Sequence, residues 1–128
     1  MSVATGANLS QRETVTATVR GVPVQVACAA FCTTDHSADL PFIEDLTHEN
    51  RDESVAVPVG IGGRTEDILA VRIAEYPFAG SEDGPVVVLD ATGSGETAEL
   101  SPTRALAELD RIIAHASRQR QRILDCAR

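Results

Sequence analysis

Two hydrophobic periods divide this chain, and the division falls at Ser101-Pro102. Upstream, apolar side chains alternate with polar or small ones, the period of two that gives a strand one buried face. Downstream, Leu106, Leu109, Ile113, Ala116 and Ile123 recur at helical spacing. Ser101 suits an N-cap, and Pro102 suits the first helical position, where its missing N–H costs nothing. The spacing predicts one helix over 102–126. In the upstream part, Val15, Ala17 and Val19 share a face over 14–20, and Val22, Val24, Val26 and Cys28 share one over 22–28, with Gly21 as the break of a hairpin. Alternation returns over 54–59 and over 68–76, where Leu69, Val71 and Ile73 are in phase. Four apolar residues in succession over 86–89 predict a central strand covered on both faces. Pro23 and Pro58 place their strands at sheet edges. The class expected is α+β: an antiparallel meander of about five strands, one long C-terminal helix, and a metal-binding loop inserted after the second strand. With 128 residues the chain has the size of one domain, so we expect a disordered N-terminus over 1–12 and a single α+β domain over 13–128.

The loop over 29–53 lacks strand periodicity and carries the chemistry. It opens on Cys28-Ala-Ala-Phe-Cys32-Thr-Thr-Asp-His36 and continues to His48, a Cys-x3-Cys-x3-His-x11-His pattern. Zinc favours four tetrahedral ligands drawn from thiolate sulfur and imidazole nitrogen, and four are present. A helical turn over 28–36 would set Cys28, Cys32 and His36 on one face, with His48 closing the site from the far end. A metal clip would also supply the ordering energy that a loop without its own core lacks. The simpler alternative buries Cys28 as a small apolar residue, leaving the acids of 35–39 and 44–49 as a solvated loop. Iron–sulfur clusters want four thiolates, and Cys126 is the one further candidate; Cys126 also stands as a substitute for His48. An enzyme is the second functional reading. Cys32 would be a nucleophile with His36 or His48 as base, or three ligands would leave an open zinc position served by Glu44 or Glu49 as general base. The chain offers no obvious substrate-binding glycine loop or lid, which favours a structural zinc.

The stretch from Cys28 to His36, with His48 downstream, resembles the Cys-Pro-x-Trp-Cys-x3-His signature of a domain-of-unknown-function family of small uncharacterised actinobacterial proteins, abundant in streptomycetes. In that family a Ser-Pro-x-x-Ala-x-x-Leu-like segment opens a C-terminal helix, as Ser101-Pro-Thr-Arg-Ala-Leu-Ala107 does here. The similarity spans residues 14–125. Ala29 stands where Pro is usual and Phe31 where Trp is usual, while the metal-type residues are kept. The resemblance implies a metal site and names neither the metal nor an activity.

Charge limits the partners. Nineteen acids face eleven basic residues, all Arg, for a net charge of −8, so nucleic acid and anionic membrane are not expected as general partners. Four aromatics, Phe31, Phe42, Tyr76 and Phe78, are too few for a base-stacking platform. The charge is polarised, however: residues 1–110 carry six Arg against eighteen acids, and the rest five Arg against Asp125. Arg111, Arg118, Arg120 and Arg122 are therefore candidate partner-binding residues on a helix tail that projects from the sheet, for a protein partner or self-association. A DNA-binding regulator working through that helix is the third reading. His115 is expected on the helix surface. The glycines after Val86-Val-Val-Leu-Asp90 look like a nucleotide loop, but no alternating helices exist to build a doubly wound sheet, so a polar turn is expected. No apolar run reaches the roughly 20 residues of a membrane span, and the N-terminus lacks a basic start and apolar core. The expectation is a cytoplasmic, non-enzymatic zinc-binding domain acting through protein contacts.

Overall fold

A computed structural model describes residues 12–79 and 84–127. The segment expected to be disordered, 1–12, lies outside these apart from Arg12, where the first strand begins. Strands β1 (Arg12–Val19) and β2 (Val22–Ala29) form the expected hairpin. Its two-residue loop holds Arg20 and Gly21 at φ 49° and 77°, the type I′ geometry whose twist matches that of the paired strands. Arg20 tolerates the left-handed conformation because the following segment fastens it. Its Nε donates to Pro41 O at 2.8 Å, its amide donates to Leu40 O at 2.9 Å, and its guanidinium lies 4.7 Å from the centre of the Phe42 ring. Strand β3 (Asp39–Leu40) then runs parallel to β1, giving a three-stranded sheet in the order β2-β1-β3. A 3-10 turn over Ile43–Asp45 follows. Leu46 drops into the cluster formed by Ala17 and Val26, with Val15, Val24, Leu40 and Ile43 packed around it. Val22, expected inward, is instead exposed at the hairpin end.

The second sheet holds β4 (His48–Glu49), β5 (Glu53–Pro58), β6 (Thr65–Glu75), β7 (Val86–Asp90) and β8 (Ala98–Leu100). Its path is β4-β6-β7-β8, and β5 also pairs with β6. Strand β7 is thus internal, as its apolar run implies, and Pro23 and Pro58 sit on edge strands. The meander is therefore split: the hairpin belongs to one sheet and the later strands to another. Strands β3, β4 and β8 are two or three residues long, too short to show a period. Strands β4 and β5 share one side of β6, and Asn50 bridges the gap between them. Its amide donates to Ile73 O at 3.2 Å and its Oδ1 accepts from the Ile73 amide at 2.6 Å, replacing ladder bonds. A bulge interrupts β6, where Glu53 pairs with Val71 but Val55 with Ile68, and Leu69 takes φ 53°. The expected common face of Leu69, Val71 and Ile73 is broken there.

The glycine-bearing segment after β7 is a turn. The Asp90 carboxylate accepts from the amides of Gly93 and Gly95 at 2.9 and 3.0 Å. Gly93 adopts φ 75°, and a Cβ there would fall 2.2 Å from the carbonyl oxygen of Asp67, so only glycine lets the turn close on β6. Gly93→Ala should cost about 2–3 kcal/mol through clash and strain, seen in a thermal melt as a fall of roughly 10 °C.

Helix α1 spans Pro102–Cys126, as the sequence predicts. Ser101 Oγ accepts from the Arg104 amide at 3.1 Å, the expected N-cap. Glu108 pairs with Arg104 at 2.7 Å and with Arg111 at 2.9 Å, and the Arg104 hydrogen bond holds the Glu108 carboxyl below its usual range. Ala105 is buried and Ile112 half-buried where the helix meets β7 and β8. From Ile113 onward nearly every described residue is exposed. Among the described residues no helix is long and apolar enough to cross a membrane.

Candidate metal centre

Cys28 extends the inward face of β2, the face of Val24 and Val26. The chain then reverses in a turn, with the Cys32 amide donating to Ala29 O at 3.0 Å. Ala29 and Phe31 are buried beneath that turn. No helix forms over 28–36, so a strand end and a reverse turn, rather than a helical face, bring the two thiols to one side. The next residues are tied to β4. The Thr33 amide donates to Glu49 O at 2.8 Å, and the Glu49 amide donates to Thr34 Oγ1 at 3.2 Å. Asp35 Oδ1 accepts from the Ser37 amide at 2.9 Å, which turns the backbone at His36 and holds the Asp35 carboxyl below its usual range. His48 enters from β4 and is fully buried.

One ligand atom from each of Cys28, Cys32, His36 and His48 lies within 4.8 Å of the others. His36 Nε2 is 3.5 Å from both Cys28 Sγ and Cys32 Sγ. A tetrahedral ion with sulfur at about 2.3 Å and nitrogen at about 2.0–2.1 Å sets sulfur and nitrogen roughly 3.5 Å apart, so both contacts already have the required length. The two imidazoles meet edge to face, with centres 5.1 Å apart at 84°. The group can hold a metal ion. Its two sulfur and two nitrogen donors, without a carboxylate, are the set that zinc takes in closed sites. Cys28 belongs to the first sheet and His48 to the second, so an ion here would join them.

The residues considered for other roles are arranged differently. Glu49 follows His48 on a strand and so faces the other way; its Oε2 lies 4.0 Å from Arg72 Nε. Glu44 is exposed on the 3-10 turn. Cys126 is exposed near the helix end, and Arg111, Arg118, Arg120 and Arg122 are exposed along the same helix, as is His115. Glu75, which sequence reasoning missed, is buried directly opposite His48 in the β4–β6 register. Directly opposed residues present side chains to the same face, and metal-bound histidines commonly donate their second ring N–H to such a carboxylate. Only the register of a two-residue strand reveals Glu75. Tyr76 follows it, its phenol pushed above the usual range by burial and then by the Glu99 and Glu49 carboxylates.

No curated protein and no solved structure matches the chain. The profile of a family described as Domain of unknown function (DUF6907) matches residues 13–125, taking in the four donors and nearly all of α1, and the chain belongs to that family.

Proposed function

We propose that the chain is a small non-enzymatic domain of the reducing cytoplasm, held together by one structural zinc on Cys28, Cys32, His36 and His48 and acting through protein contacts. The observation that carries this reading is that Cys28 from β2, Cys32 and His36 from the turn and loop after it, and His48 from β4 bring their ligand atoms within 4.8 Å of one another. Cys28 and Cys32 supply thiolates, His36 sits between them, and His48 closes the shell from a buried position. Four protein ligands fill a tetrahedral ion and leave no position for water, whereas a catalytic zinc keeps one open. The bound ion supplies order to a loop that has little core of its own. A hydrolase has weaker support, since each thiol and imidazole that would serve as nucleophile or base belongs to the four-donor group, and the nearby Glu49 points away from it. Elemental analysis of the purified protein should give one zinc per chain, and cobalt-substituted protein should show the intense visible bands of a four-coordinate two-thiolate site. Protein without metal would overturn the reading, and a bound water in the cobalt spectrum would replace it with the catalytic one.

A further inference from the structure

Helix α1 has 25 residues, and those it buries or half-buries lie almost all in its first half. From Ile113 onward nearly every described residue is exposed, and the apolar Leu106, Ile113, Ile123 and Leu124 are 64%, 62%, 67% and 42% exposed. A lone helical segment of this length is marginal in water, and the core is poor elsewhere: among the described residues, four of the eight buried apolar ones are alanines. One face of the helix is entirely exposed and follows alternating steps of four and three residues: Leu106, Asp110, Ile113, Ser117, Arg120 and Leu124. That spacing is the seam of a paired helix.

The charges on this seam select its partner. We propose that it pairs antiparallel with the same seam of a second copy of this chain, about a two-fold axis midway between Ile113 and Ser117. Leu106 then meets Leu124 of the other copy, Ile113 meets Ser117, and Asp110 meets Arg120, each contact occurring twice. Parallel pairing would instead set Asp110 against Asp110 and Arg120 against Arg120. The wider charge distribution agrees. The tail after residue 110 carries five Arg against Asp125, while the preceding residues carry six Arg against eighteen acids. Antiparallel pairing lays each basic tail along the acidic body of the other copy, and parallel pairing would align tail with tail. Arg111, Arg118 and Arg122 project from the far side of the helix and are not part of the seam.

The test uses full-length, metal-loaded protein in sedimentation equilibrium across a concentration series. The wild type should reach the mass of two chains, and Asp110→Arg should weaken association by roughly 100-fold or more. Asp110→Arg combined with Arg120→Asp should restore it to within a few-fold. Both positions of the test are solvent-exposed, and an unchanged circular dichroism melt of the diluted variants would show that folding is intact. A wild type that stays monomeric at all concentrations would overturn the proposal, as would a dimer indifferent to Asp110→Arg or a double variant that fails to recover. Rapid disulfide cross-linking between the Cys126 residues of two copies would overturn the antiparallel orientation, because that arrangement holds them far apart.

Discussion

Stripping the metal should lower the melting temperature by roughly 20 °C or more, the largest change expected from any single manipulation of this chain. Binding at a structural zinc site is worth on the order of 10 kcal/mol, and because the site does not persist in the unfolded chain, much of that is folding free energy. Even half of it, at about 4 °C per kcal/mol for a domain of this size, gives the stated shift. The buried residues cannot make up the difference: among the described residues, the buried apolar side chains beyond four alanines are Val26, Phe31, Leu46 and Val88. Cys32→Ser should reproduce most of the loss, since it removes one of the two sulfurs beside His36. Melting followed by circular dichroism with and without chelator checks both. A stripped protein that melts within a few degrees of the loaded one would remove the structural role.

Leu46→Ala should destabilise by about 3–4 kcal/mol, the cost of a cavity where a fully buried leucine stood. This is roughly 12–16 °C in melting temperature. Leu46 joins the 3-10 segment to Ala17 and Val26 and lies two residues before His48, so its loss removes the packing that holds the fourth donor in place. The variant is separable from a ligand substitution by metal content. Leu46→Ala should still bind one zinc per chain, with faster release to chelator, whereas Cys32→Ser should lose stoichiometric binding. A Leu46→Ala protein with unchanged melting would mean that the neighbouring side chains close the cavity.

The parts of this fold legible in the sequence are those whose period persists for a turn or a strand. The helix over 102–126 matches to the residue because Ser101 and Pro102 fix its start and the apolar spacing fixes its phase. The hairpin and the central strand at Val86 follow from alternation and from an unbroken apolar run. The four donors are legible as a set because cysteine and histidine at short spacing have few other uses. Their geometry is not: the sequence suggests a helical turn, whereas β2 continues through Ala29 before the chain reverses. The division into two sheets is also hidden. It depends on β3 and β4, two residues each, which exist because long-range partners on β1 and β6 supply their hydrogen bonds. The bulge at Leu69 and the buried Glu75 likewise arise from register, a property of paired strands rather than of either strand alone.

Cys28 and His48 stand on different sheets, and the buried cluster of Ala17, Val26 and Leu46 lies against the first of them. A bound ion would couple the two sheets, so we expect the hairpin and the β6–β7 ladder to unfold together with it and more independently without it. On the zinc reading, the zinc supply of the cell, and not the sequence alone, would decide how the chain unfolds.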